Sequence, residues 1–118
     1  MAIRLLIPII VALLLPLYIP CANALTMAQF SGICTSSPGE CSDNPTIQAY
    51  VGGALDLLAT LDERTDYMEK LYCKTPKELF DAPTIIRFME QRSEQHASDN
   101  AMLVLIQYME ERGGCDRE

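Results

Sequence analysis

The sequence predicts a small all-α fold, three or four helices packed as a disulfide-stapled bundle behind a cleaved signal peptide. Three observations carry this expectation. Apolar residues recur at helical spacing over much of the chain beyond residue 44, with no strand-like alternation and no internal repeat. Capping signals stand where those patterns begin. An even set of four cysteines remains once the leader is removed.

The leader comes first. Arg4 precedes an apolar run from Leu5 to Ile19, and Ala22-Asn23-Ala24 supplies a small-x-small cleavage site, the three-part layout of a secretory signal peptide. A membrane anchor needs about 20 unbroken apolar residues, whereas Pro8, Pro16 and Pro20 interrupt this run and no basic cluster follows Ala24. No stable membrane anchor is expected. Cys21 ends the apolar run, but Pro20 occupies the position where a lipoprotein signal carries a small residue. Residues 1–24 are therefore read as leader and residues 25–118 as one helical domain exported from the cytoplasm.

Cleavage after Ala24 leaves 94 of the 118 residues and takes Cys21 with it. Cys34, Cys41, Cys73 and Cys115 remain, and a short exported chain with an even cysteine count reads as disulfide-stapled. Four cysteines allow three pairings. Cys34 with Cys41 and Cys73 with Cys115 are favoured, because each pair brackets a compact segment. On the loop-entropy model the two staples contribute about 2.5 and about 4 kcal/mol, which matters in a domain whose small core barely offsets chain entropy. A zinc site would compete for the four cysteines, but the chain has no C-x-x-C pair and the compartment is oxidising. No metal and no cofactor are expected.

Removing Arg4 leaves eight basic residues against 16 acids, so the net charge moves from −7 to −8. A nucleic-acid binder needs a basic face to neutralise phosphates, and these scattered Lys and Arg residues supply none. Attraction to anionic membrane surfaces is disfavoured as well. A basic protein partner fits better, although acidity also serves solubility.

Along the mature chain, Met27, Phe30 and Ile33 suggest a short apolar turn, and Ser31 to Pro45 reads as a pinned loop rich in Ser, Gly and Pro. Ile47, Tyr50, Val51, Ala54, Leu55, Leu58 and Leu61 then mark one face of an amphipathic helix. Asp43 or Asn44 can cap it, and Pro45 suits its first turn. Gly52 and Gly53 cost about 1 kcal/mol each in helix propensity and suggest either close approach of another backbone or a tolerated defect. Asp62 to Lys70 is a charged stretch, read as a frayed helix end or a surface loop. Thr75-Pro76-Lys77-Glu78 matches a capping box with Pro at the first helical position, opening a short helix through Phe80. Asp81 and Pro83 start another helix with Ile85, Phe88 and Met89 on one face. Arg92 to Asp99 reads as a turn. Ser98 or Asp99 can cap the last helix, which carries Met102, Leu105, Ile106 and Met109 and ends at Gly113-Gly114, a left-handed stop. Its methionines, with Met89 opposite, read as core filler.

Catalytic chemistry finds little support. Nucleophilic catalysis needs a free Cys or Ser beside a positioned base. The single histidine, His96, falls in the polar turn, and the mature cysteines are expected to be oxidised. Asp62-Glu63 and Glu110-Glu111 are adjacent pairs that point to different helix faces. No Gly-rich phosphate loop or metal-ligand cluster is present.

Read together, Tyr50-x-x-Gly53-x-x-Asp56 within an amphipathic helix, Cys73-x-x-Pro76, a helical hairpin and a closing Cys115 are similar to the Rap/Tai family of type VI secretion immunity proteins. The resemblance spans roughly residues 30–115. It departs at Ile47, where the family carries a cysteine and this chain has Cys41 instead, at the lengthened Cys73-Lys74-Thr75-Pro76, and at Gly113-Gly114-Cys115 in place of Phe-Pro-Cys. It implies a periplasmic helical protein that neutralises a peptidoglycan amidase delivered by neighbouring cells.

The expected function is accordingly an exported, non-enzymatic inhibitor with a protein partner, such as a secreted peptidoglycan amidase. A homodimer is left open. Asp62, Glu63, Asp66 and Glu69 are the candidate partner contacts, since exposed loops often carry recognition. The alternative is a periplasmic acid-stress chaperone of the Hde type, in which protonation of 16 carboxylates loosens the fold and exposes apolar faces.

Overall fold

The computed structural model describes residues 24–116. The expected leader therefore lies outside the described residues, apart from Ala24. Five α-helices follow one another: α1 (Met27–Ser36), α2 (Pro45–Arg64), α3 (Pro76–Leu79), α4 (Ala82–Gln91) and α5 (Ala101–Arg112). Single 3-10 turns at Cys41–Asp43 and Tyr67–Lys70 precede and follow α2. Among the described residues the only β feature is an isolated antiparallel bridge between Thr26 and Asn100. The fold is all-α and carries two disulfides, Cys34–Cys41 and Cys73–Cys115, the favoured pairing. Among the same residues no helix is long and apolar enough to cross a membrane.

The helix beyond the expected three or four is α1, whose residues read in sequence as an apolar turn running into a loop. Its Ser, Gly, Cys and Thr content gives it low intrinsic propensity, so the segment is helical because it is held. Thr26 and Gln29 form a reciprocal capping box. The turn before α5 then takes two of the first N–H groups of α1: Met27 N–H donates to Asp99 O at 2.9 Å and Ala28 N–H to Ala97 O at 2.9 Å. Ala101 N–H returns a bond to Leu25 O at 2.8 Å. These bonds satisfy donors that a free helix end leaves unpaired. They also fasten the first residues after the expected cleavage point to the turn before α5 and to its first residue.

Phe30 of α1, Ile47 and Val51 of α2, Ile85, Ile86 and Met89 of α4, and Val104, Leu105 and Met109 of α5 meet in one core with essentially no exposure. Met89 and Met109 are thus core, as expected, while Met102 is partly buried at its margin. α4 packs against α2, α5 and the Cys41–Asp43 turn. Edge-to-face aromatic pairs tie the layers: Phe88 with Tyr108 at 5.1 Å and Tyr72 with Phe80 at 5.5 Å. Arg92 lies over the outer face of Phe88, 3.5 Å from the ring centroid, and pairs with Glu111 at 2.8 Å.

Most boundaries follow the capping signals. Asn44 Oδ1 accepts from Thr46 and Ile47 N–H at the start of α2. The Thr75/Glu78 capping box is formed, and Asp81 caps α4 through Thr84 N–H. Two details are corrected. Asn100 caps α5 by accepting from Met102 N–H, because Asp99 is already engaged: its carbonyl holds Met27 and its carboxylate contacts His96 Nδ1 at 2.7 Å. At the other end Gly114 alone is left-handed, with φ 76°, whereas Gly113 is right-handed. Gly52 and Gly53 show no close backbone approach, since nothing lies within 4 Å of a Cβ built on either.

Candidate functional site

The charged stretch Asp62 to Lys70 combines both expected readings. α2 runs on to Arg64, and Tyr67–Lys70 is a separate 3-10 turn. The chain is brought back against α2 by Tyr72, which is 3% exposed and whose hydroxyl donates to Leu58 O at 3.4 Å. Leu71 and Tyr72 N–H both donate to Met68 O, closing the turn. Cys73 and Lys74 N–H then donate to the single carbonyl of Gly113 at 2.9 and 2.8 Å. This bifurcated anchor brings Cys73 to Cys115, whose Cα atoms are 5.0 Å apart.

A notch of about 450 Å³ opens at this junction. Asp62 lines it from the last turn of α2, Glu69 from the 3-10 turn, and Tyr72, Lys74 and Pro76 from the segment beyond, with Cys73 on its wall. Both disulfide sulfurs sit 3.6 and 3.7 Å from Glu69 O. Oxidised sulfur carries no proton to donate, so this is packing that fixes the position of the Glu69 backbone. Burial pushes the Tyr72 phenol above its usual pKa, and the Asp62 charge pushes it further in the same direction. Lys74 lays its aliphatic stem beside Gly114. Tyr67, 75% exposed, stands on the 3-10 turn that contributes Glu69.

Of the four candidate contact residues, the structure brings Asp62 and Glu69 into one notch. Glu63 and Asp66 are exposed but line none of it. Tyr67 and Lys74 were missed. Tyr67 carried a signal, an aromatic inside a charged loop, while Lys74 reaches the notch only through the Gly113 anchor. The motif residues serve other ends. Tyr50 packs against Phe30 at 6.4 Å, Gly53 and Asp56 are exposed on α2, and Pro76 is the first residue of α3.

A second cavity, of about 550 Å³, lies beside the Cys34–Cys41 disulfide. Glu40, Ser42, Arg87 and Glu90 share its wall with both cysteines. Burial raises the Glu90 carboxyl above the ordinary glutamate range, Glu40 adds to this by repulsion, and Arg87 opposes it. Elsewhere His96 is occupied by Asp99, and the Ser93 hydroxyl donates to Glu90 O at 2.9 Å. Comparison with protein-family models, with curated proteins and with solved structures finds no match to this chain.

Proposed function

We propose that the protein is an exported periplasmic inhibitor that works by binding, in the manner of the type VI secretion immunity proteins it resembles, with a peptidoglycan amidase as partner. The observation that carries this reading is the notch at the Cys73–Cys115 staple. Two carboxylates, Asp62 and Glu69, are held on a rim that a disulfide and the Gly113 anchor make rigid. A rigid rim loses little conformational entropy on association, the main condition for converting a small contact area into affinity. Exposed Tyr67 beside it is the residue type that anchors interfaces. Negative charge on the rim steers a partner with a cationic groove and suppresses acidic ones.

Co-purification with the product of a neighbouring hydrolase gene, followed by an assay of peptidoglycan cleavage, tests the reading. The expected result is a stoichiometric complex and loss of cleavage. Full hydrolase activity in the presence of excess protein would remove it. Light scattering of a client protein at acid pH separates the chaperone alternative, which requires suppression of aggregation there.

A further inference from the structure

We propose that the groove between α4 and α5 at Arg87 and Arg112 is a carboxylate-binding site that takes the C-terminal end of a peptide. The inference is independent of the acidic notch and of the inhibitor reading. It rests on two helical faces that meet. Thr84, Arg87, Phe88 and Gln91 recur at i, i+3, i+4 and i+7 along α4, and Tyr108 and Arg112 at i and i+4 along α5, spacings that place side chains on one face. Together they line a cavity of about 220 Å³. The edge-to-face pair of Phe88 with Tyr108 and the ion pair of Arg92 with Glu111 join the same two segments beside it.

The two arginines are available to a ligand. Arg92, their neighbour, is committed to Phe88 and Glu111, whereas neither Arg87 nor Arg112 is in an ion pair or hydrogen bond among the described residues. Two unpaired guanidinium groups on one cavity are unexpected in a chain with 9 basic residues against 16 acidic ones. The acids around them are engaged elsewhere. The Asp81 carboxylate accepts from the Thr84 N–H and hydroxyl, and Glu111 holds Arg92. Glu90 lies on the wall of the cavity beside the Cys34–Cys41 disulfide, which Arg87 also borders. The positive field reaches the buried Tyr108. Burial raises its phenol pKa, Arg112 opposes this, and Asp81 adds to it by a smaller amount.

The lining selects the anion. Guanidinium forks match the paired oxygens of carboxylate and phosphate. With Glu111 cancelling Arg92, Asp81 offsets one of the two free arginines and leaves a single net positive charge, which suits a carboxylate and not a phosphate dianion. The Tyr108 hydroxyl donates to Leu79 O and the Thr84 hydroxyl to Asp81, so neither supplies the extra donor that a third phosphate oxygen needs. Gln91 adds an amide beside the forks. Pockets that enclose a whole drug-sized ligand run to roughly 300–1,000 Å³. This cavity is smaller, so it takes an end group whose chain continues into solvent, and the rings of Phe88 and Tyr108 give the last side chain an apolar wall. Capture of a chain-terminal carboxylate is a recurrent mode of peptide recognition.

Isotope-labelled protein with both disulfides intact would be titrated with N-acetyl-alanyl-leucine, its C-terminal amide, acetate and inorganic phosphate. Nitrogen–proton correlation spectra are recorded at about 0.15 M salt, where screening over about 8 Å suppresses long-range attraction. The expected result is saturable shifts of the Arg87, Gln91 and Arg112 side-chain N–H groups with the free acid and none with the amide. Acetate and phosphate bind more weakly than the peptide acid. Arg87→Gln and Arg112→Gln each weaken binding at least about tenfold, the loss expected for one charge-assisted hydrogen bond. Lys70→Gln makes the same charge change at an exposed residue outside the cavity and leaves binding unchanged. Both arginines are exposed, so the variants keep the fold, which circular dichroism checks; the comparison of acid with amide needs no variant. An amide that binds as well as the acid overturns the proposal, as does phosphate or acetate binding as tightly as the peptide. Shifts that never saturate, or an affinity indifferent to both arginine variants or lost equally in Lys70→Gln, overturn it too.

Discussion

Gly113 is packed against Tyr72 so closely that the glycine has no room for a Cβ. A Cβ built on Gly113 falls 2.7 Å from Tyr72 Cβ and 2.9 Å from Tyr72 Cα, and also onto the Met109 carbonyl oxygen. The contact lets the Gly113 carbonyl receive the N–H groups of Cys73 and Lys74 together. Those bonds set the position of the Cys73–Cys115 staple and with it the wall of the acidic notch. Gly113→Ala is therefore expected to destabilise the protein by roughly 1–3 kcal/mol, the usual range for overpacking. Denaturant unfolding without reductant measures this. A midpoint equal to that of the parent would show that the backbone yields more easily than the contact implies.

Gly52 and Gly53 should behave in the opposite sense. Both lie within α2, and the space around each is open. Alanine restricts the unfolded chain and favours the helix, so Gly52→Ala and Gly53→Ala are each expected to stabilise by roughly 0.5–1 kcal/mol. Thermal unfolding of the two variants beside Gly113→Ala makes the contrast directly. Loss of stability in either would mean that this face of α2 is covered by something else in solution.

Asp81 links the fold to pH. Its carboxylate accepts from Thr84 N–H and from the Thr84 hydroxyl, and the hydroxyl bond first, then the backbone bond, lower its pKa. A folded-state pKa below the unfolded value of about 3.9 gives stability that is present above that value and lost as pH falls through the lower one. Asp81→Asn keeps a capping oxygen but does not titrate, so its melting temperature should fall less steeply than the parent's in that acid window. Asp81→Ala removes the cap outright and should cost about 0.5–2 kcal/mol at neutral pH. Parallel melting curves for the parent and Asp81→Asn would contradict the assignment.

Arg92 makes two contacts of unequal worth. Its ion pair with Glu111 is partly exposed, at 25% and 43% for the two side chains, and a double-mutant cycle should return a coupling of roughly 0.2–1 kcal/mol. Its position over Phe88 shields a core ring and adds about 0.5–1 kcal/mol. Arg92→Ala should therefore cost more than Glu111→Ala, and the difference should persist in high salt, which screens the ion pair first. Equal costs for the two single variants would assign everything to the ion pair.

Local signals in the chain accounted for most of the helices. The seven apolar positions of α2, the capping residues Asn44, Thr75 and Asp81, and the packing face of α4 are short-range patterns, each readable within a turn or two of helix. The helix that escaped, α1, carries its own signal in Thr26 and Gln29. Its weak-propensity body is held by bonds to Ala97 and Asp99, far along the chain, and no local window contains them. The same distinction separates Asn100 from Asp99 as the cap of α5, because Asp99 was committed to Met27 and His96.

The sequence by itself determined the all-α class, the four cysteines of residues 25–118 and the acidic stretch from which a recognition surface could be built. Tertiary structure decided which of those acids stand together. Asp62 and Glu69 share a notch because Tyr72 folds back on Leu58 and Gly113 admits the chain beside it, while Glu63 and Asp66 turn away. It also decided that Arg87 and Arg112 line one cavity. The physical reason is the same in both cases. Periodicity and capping act over a few residues, whereas a site is assembled from segments whose proximity depends on close packing between helices distant in sequence.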